Sequence, residues 1–158
     1  MLSPVGGDDA FDALAARSPW RRGIPKLRER TQVMTSYALE TTYLSLDGKG
    51  GVAQHEGGEA FWRDIGDDPD IKGTLVTVGT GAGDWPRWEM HPQGDEILVL
   101  LEGRLTVVLD QDGSQRQVEM SAGATLLVPM GAWHRFVAQE DVRMLFVTYG
   151  AGTTHRPA

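Results

Sequence analysis

The sequence contains no cysteine among its 158 residues, so disulfide bonds and thiolate metal sites are excluded. Long apolar runs are lacking as well, since the longest, ILVLL at residues 97–101, is far too short to cross a bilayer. Basic residues are outnumbered, with 15 against 22 acidic ones and a net charge of −7. This balance argues against a nucleic acid or a membrane surface as a partner. The first 18 residues lack the pattern of a signal peptide, and a cytoplasmic location is expected.

The length and a hydrophobic content of 41% predict one domain with its own core. Residues 1–34 differ in pattern from the rest of the chain. A short helix is predicted in DDAFDALAAR, residues 8–17, and a basic stretch with two prolines follows it. This segment is interpreted either as an irregular N-terminal arm that packs across a partner subunit or as a disordered tail.

Residues 35–150 show short β segments separated by glycine-containing turns, with one helical turn around residues 60–65. This pattern predicts an all-β sandwich or barrel. The runs EILVLL (96–101) and ATLLVP (124–129) do not alternate apolar with polar residues, so both are expected to be covered on two faces, in a filled barrel or at an oligomer interface. Residues 151–158, which include His155, are expected to form a frayed tail, with a tail folded over the barrel mouth as the alternative.

One predicted hairpin gathers side chains that are able to bind metal. Glu89 and His91 alternate along a strand and point to the same face, and Glu96 opens the next strand after the turn PQGD. Near-opposite residues in such a hairpin have Cβ atoms about 4.5–5.5 Å apart. His134 joins this group if its strand meets the hairpin across a barrel. Two imidazoles with one or two carboxylates suit non-haem iron, manganese, nickel or zinc.

Two motifs in the sequence resemble those of the cupin family. The first has the family's spacing at five positions: Gly83, Glu89, His91, Glu96 and Gly103. The second has it at Gly123, Pro129, Gly131, His134 and Ala138. Two residues depart from the family pattern, because Glu89 replaces the first histidine and Ala138 replaces an asparagine.

The resemblance implies a double-stranded β-helix, the jelly-roll barrel of the cupins, over residues 35–150. It also implies that His91, Glu96 and His134 bind one divalent metal ion, with Glu89 at the fourth ligand position. The candidate ions are iron, manganese, zinc and nickel, and a carboxylate at the fourth position shifts the preference away from copper. Similar small cupins are commonly homodimers, so a homodimer is expected here.

The glutamate at position 89 leaves three alternatives open. It ligates the metal, or it acts as a general base beside the metal, or no metal binds and the four side chains hold one another and water. Arg87 shares the predicted face of Glu89. It is interpreted either as a group that holds a substrate carboxylate in a bidentate pair or as part of a structural salt bridge.

Two classes of function are compatible with these residues. The first is a metal-dependent enzyme of dioxygenase, isomerase or cyclase type that acts on a small oxygenated substrate, with Glu89 and Arg87 as catalytic candidates. The second is a non-catalytic or metal-free barrel that binds a small-molecule ligand. The fold itself does not decide between them, because one fold hosts many functions.

Overall fold

The computed structural model describes residues 35–65 and 73–158, and one compact unit extends over Ser36–Ala158. These residues form ten β-strands and one short helix, α1 (Glu59–Asp64), which lies where a helical turn is predicted. The first five strands are β1 (Thr42–Leu46), β2 (Val52–Glu56), β3 (Thr74–Asp84), β4 (Arg87–Met90) and β5 (Glu96–Glu102). The others are β6 (Arg104–Gln111), β7 (Ser114–Ser121), β8 (Thr125–Val128), β9 (Trp133–Tyr149) and β10 (Thr154–Pro157).

Strand β9 organises the sheet, because it pairs with four other strands. One of its edges pairs with β3 and, at His134, with β4; the other edge pairs with β5 and β6. All of these pairings are antiparallel, and the all-β jelly-roll class predicted from the sequence is confirmed. The sequence pattern favours two strands here, HRFVAQ and RMLFVTYG. They form one continuous strand, since Glu140, Asp141 and Val142 between them stay extended.

The main core lies between β5, β6 and β9 and includes Leu98, Leu100, Val107 and Phe136, each with at most 2% of its surface exposed. Glycines allow the turns around it to close. Gly103 has φ +84°, and a Cβ there would lie 2.6 Å from the carbonyl oxygen of Asp141, so a side chain at this position is both strained and blocked. The turn at this motif glycine thus holds β5 and β6 against the core.

Within one chain, EILVLL and ATLLVP are covered on one face only, so the filled-barrel alternative does not hold for them and the oligomer interface stays a prediction. Ile97 in β5 and Leu127 in β8 are cross-strand partners, and their side chains are 39% and 56% exposed. Each strand forms part of the barrel wall, with one face toward the core and an apolar outer face that a single chain leaves in contact with solvent. A homodimer through such a face stays a prediction.

The C-terminal residues are not frayed. They form β10, which pairs with β4 and brings His155 opposite Glu89, as in the alternative of a folded-back tail. The Arg156 guanidinium lies 5.2 Å from the ring centroid of Trp88 and 4.4 Å from that of Trp133, and it pairs with Asp110 at 2.5 Å. Such cation–π contacts and a charge-assisted hydrogen bond fasten β10 to the outer surface of the barrel.

Two other expectations concern the rest of the chain. The predicted N-terminal arm over residues 1–34, with its short helix, lies outside the described residues. Within residues 35–65 and 73–158, no helix combines the length and the hydrophobicity that a membrane crossing requires.

Candidate metal centre

The two motifs meet inside the barrel because of strand register. Glu89 in β4 lies directly opposite His134 in β9, and Glu96 at the start of β5 lies opposite Thr148 in the same long strand. His91 follows β4, and its carbonyl oxygen accepts a hydrogen bond from the Gly131 amide at 2.9 Å, which ties the first motif to the second. The structure therefore brings together all four side chains that the sequence singles out as metal ligands.

The distances within this cluster are short. One oxygen of Glu89 and one nitrogen each of His91 and His134 lie within 4.8 Å of one another. The Glu96 carboxylate lies beside both histidines, with its Oε2 at 3.1 Å from His134 Nε2 and its Oε1 at 3.5 Å from His91 Nε2. Both imidazoles and the Glu96 carboxylate are at least 97% buried, whereas the Glu89 side chain is 20% exposed. The group is thus a buried trio with a fourth, partly exposed member.

Three of the buried atoms have no hydrogen-bond partner among the described residues: His91 Nε2, His134 Nε2 and Glu96 Oε2. They lie close together but are not aligned to hydrogen-bond one another. Buried polar atoms are nearly always satisfied, so a convergent set without partners needs an explanation. Imidazole nitrogens and a carboxylate oxygen are the donors that iron, manganese, nickel and zinc accept, and this donor set fits a divalent cation.

A threonine fixes the tautomer of His91. The Thr153 hydroxyl donates its single proton to the carbonyl oxygen of Gly150 at 2.7 Å, so toward His91 Nδ1, at 2.8 Å, its oxygen acts as an acceptor. The proton of the neutral imidazole therefore sits on Nδ1, and the Nε2 lone pair is directed into the cluster. His134 is arranged in the same sense, with Nδ1 at 3.5 Å from the carbonyl oxygen of Ala132. Such outer contacts orient metal-binding histidines.

The Glu96 carboxylate is ionised and oriented by its neighbours. The Thr148 hydroxyl donates to Oε1 at 2.5 Å, which leaves Oε2 free. Burial by itself raises the pKa of Glu96. Contacts with His134 and His91, together with the charges of these two rings, outweigh burial and lower the pKa of Glu96 to about 2. Burial also lowers the pKa of His91, while the Glu96 and Glu89 carboxylates raise it above its ordinary value. The cluster stabilises positive charge, either as protons on imidazole or as a bound cation.

His155 is a neighbour of the cluster that the motifs do not contain. Its Nε2 lies 3.5 Å from Oε1 of Glu89, which in turn lies 3.9 Å from His91 Nε2. The sequence analysis named His155 in the alternative of a folded-back tail, but it missed Thr148 and Thr153, because neither belongs to a motif. Only the extended, uncharged stretch GTT before His155 could have indicated a further strand.

A cavity of about 900 Å³ adjoins the cluster through Glu89, Thr148 and Phe136. Arg87 also lines it, which agrees with the predicted face shared by Arg87 and Glu89. Within the described residues, Arg87 has no acidic side chain within salt-bridge distance, so a structural salt bridge does not explain it there. Its role in catalysis stays a prediction.

The family model described as the Cupin domain matches residues 74–148, the segment that carries all four side chains of the cluster. This segment is a cupin domain. Both motifs lie inside this match, which begins with β3 and ends within β9. The cupin domain departs from the usual ligand set at one position, the glutamate at 89.

No curated protein matches the sequence. Among solved structures, a cupin-2 domain protein from Shewanella frigidimarina is 19% identical, with 56% of this chain and 74% of that chain covered and a TM-score of 0.41. Hydroquinone 1,2-dioxygenase from Sphingomonas sp. TTNP3 is 19% identical, with 48% of this chain and 60% of that chain covered and a TM-score of 0.42. Oxalate decarboxylase from Bacillus subtilis is 19% identical, with 55% of this chain and 24% of that chain covered and a TM-score of 0.47.

The chain spans less than two thirds of the dioxygenase and about a quarter of the decarboxylase. The names of these two proteins describe their own activities and not an activity of the chain described here. At this level of likeness the solved structures bear neither on the metal nor on the reaction of the chain described here.

Proposed function

We propose that the cupin domain is a metal-dependent enzyme that acts on a small oxygenated substrate, of dioxygenase, isomerase or cyclase type. His91, Glu96 and His134 hold the divalent ion, which is iron, manganese, zinc or nickel, and Glu89 completes or flanks this ligand set. The substrate is a small molecule that enters the adjoining cavity. The protein acts as a homodimer in the cytoplasm.

One observation carries the proposal: three buried donor atoms converge without partners next to Glu89, which lines a cavity. If the four side chains only held one another, the nitrogens and oxygen would be expected to align as hydrogen bonds, since a buried donor or acceptor without a partner costs about 1–3 kcal/mol. The cost is offset if a cation binds the three lone pairs.

The metal would act as a Lewis acid that polarises a substrate oxygen. The protein supplies the remaining functions. Thr153 and Thr148 orient two of the ligands, the barrel wall excludes water, and Arg87 holds an anionic group of the substrate. Glu89 and Glu96 together supply two carboxylates, the number that matches the charge of a divalent cation.

Glu89 has two candidate roles, and its neighbours bear on both. Its Oε1 lies 3.9 Å from His91 Nε2, which is close enough for both atoms to share one ion after a small adjustment. Its 20% exposed side chain also lines the cavity, where a carboxylate is able to accept a proton from a substrate as a general base.

The test is elemental analysis of protein purified without a metal-binding tag. Wild-type protein is expected to contain close to one metal ion per chain, and His91→Ala is expected to contain none. His55→Ala is the matched control, because His55 lies in β2 and pairs with the Ser45 hydroxyl at 2.8 Å instead. Glu89→Gln that keeps the metal but loses turnover would assign the base role to Glu89, and loss of the metal would assign the ligand role.

The opposite result is equally clear. Wild-type protein that stays metal-free after incubation with iron, manganese, nickel and zinc would contradict the metalloenzyme. The chain would then be the alternative predicted from the sequence, a metal-free barrel that binds a small molecule.

Thr153→Val is expected to lower metal affinity by about 10- to 100-fold, the usual cost of losing an outer hydrogen bond to a metal-binding histidine. Valine keeps the shape of the side chain but removes the oxygen that accepts from His91 Nδ1. Competition between the protein and a chelator for Mn²⁺ measures the effect. Thr154→Val, at an exposed neighbouring position, is the control, and equal affinities of the two variants would refute the role of Thr153.

A further inference from the structure

Small residues of β3 form part of the cavity wall. Thr77, Gly79 and Gly81 of β3 lie opposite Phe146, Met144 and Val142 of β9, and all six line the cavity. A Cβ at Gly81 would meet no atom within 4 Å, so a side chain there would project into open space. At about 900 Å³ the cavity lies near the upper end of the volumes of small-molecule sites.

Aromatic rings form one wall of this space. The Trp85 indole packs edge-on against Phe136, with ring centroids 4.6 Å apart and an angle of 90° between the ring planes. It is close to parallel with the Phe146 ring, with 25° between the planes and 6.4 Å between the centroids. Trp85 lines the cavity and is 40% exposed. Its ring edges and face are available to a further aromatic ring, which prefers offset-stacked or edge-to-face contacts.

Arg87 provides a charged group beside these rings. Trp85 and Arg87 are two residues apart, and both line the cavity. Among the described residues, Arg87 is the one lysine or arginine that does so, and no acidic side chain there pairs with it. A guanidinium in this setting matches a carboxylate, which it binds through two parallel hydrogen bonds.

We propose that the cavity binds a planar aromatic carboxylic acid, with its carboxylate on Arg87 and its ring against Trp85, Phe136 and Phe146. This inference rests on the proposed function, because it names the substrate class for the same site.

The test compares three probes by isothermal titration calorimetry on the full chain, both metal-loaded and metal-free. The probes are 2-naphthoate, the uncharged 2-naphthylmethanol, and decanoate, which is charged but not aromatic. We expect 2-naphthoate to bind 1:1 and at least about 10-fold more tightly than either of the others, because only it uses both the guanidinium and the aromatic wall.

Two variants separate the two contributions. Arg87→Gln is expected to weaken 2-naphthoate about 10-fold and to leave 2-naphthylmethanol unchanged, while Arg116→Gln, an exposed arginine of β7, changes neither. Gly81→Leu fills the cavity without backbone strain, since the φ of Gly81 is not in the left-handed region, and is expected to abolish binding of both aromatic probes. The metal content of this variant should match that of the wild type.

Decanoate or 2-naphthylmethanol binding as tightly as 2-naphthoate would overturn the proposed ligand class, and so would 2-naphthoate binding that neither variant weakens. Metal content measured on the same samples keeps the two proposals apart. Metal at one ion per chain with no 2-naphthoate binding refutes the aromatic acid alone. Binding of 2-naphthoate to a chain that takes up no metal refutes the metalloenzyme alone.

Discussion

Glu96→Gln is expected to lower the affinity for a divalent ion by more than about 100-fold, because it removes a ligand charge, whereas loss of an outer contact alone costs about 10- to 100-fold. The effect on folding should be small. The glutamine oxygen still accepts from Thr148, and its amide replaces the oxygen that lies 3.1 Å from His134 Nε2. After a small adjustment of its angle, an N–H there is able to donate to that lone pair.

The measurement is a chelator competition with Mn²⁺ or Zn²⁺, together with urea unfolding of the metal-free protein. The free energy of unfolding of metal-free Glu96→Gln is expected to stay within about 1 kcal/mol of the wild type. Glu119→Gln, the same substitution at an exposed position of β7, controls for the lost charge. If Glu96→Gln binds metal within a few-fold of the control, Glu96 is not a ligand.

Phe136→Ala is expected to reduce the free energy of unfolding by about 3–5 kcal/mol, which is a large part of the usual 5–15 kcal/mol. The ring is 2% exposed and belongs to the main core. It also packs against Trp85 at 4.6 Å and lies 5.7 Å from the His134 ring, so its removal leaves a void between the core and the cluster. Because the void joins the cavity, water is able to enter it, and the lower end of the range is expected.

Urea unfolding of metal-free protein measures this loss without a contribution from metal binding. Phe61→Ala is the comparison, since Phe61 belongs to the smaller cluster around α1 and is 9% exposed. We expect the Phe61 variant to lose less stability than the Phe136 variant. A loss below 1 kcal/mol for Phe136→Ala would show that the ring does not support the barrel in solution.

The sequence predicts the cluster well because its residues belong to local patterns. The two-residue spacing of Glu89 and His91 predicts that both lie on one strand, and the turn that follows predicts where the next strand begins. The glycine-bounded segment before His134 predicts in the same way that this histidine begins a strand. The structure then joins these strands through β9, as the cupin motifs imply. The all-β class could be predicted for the same reason, since strand alternation and turn residues are local features.

Contacts between distant parts of the chain could not be predicted in this way. Thr153 lies 62 residues from His91, and no periodic pattern connects the two. The pairing of Arg156 with Trp88, Trp133 and Asp110 depends on the path of the whole barrel. The outer face of Ile97 and Leu127 is a further case, because composition alone does not distinguish an apolar face that contacts solvent from one that packs in a core or at an interface.

The return of β10 to β4 has a consequence for synthesis of the protein. Thr153, which sets the proton position on His91, leaves the ribosome 62 residues after that histidine. A nascent chain that ends before Thr153 is able to form much of the barrel but leaves the His91 ring free to choose the other tautomer. A metal ion that requires this tautomer of His91 would therefore bind only after β10 has paired with β4.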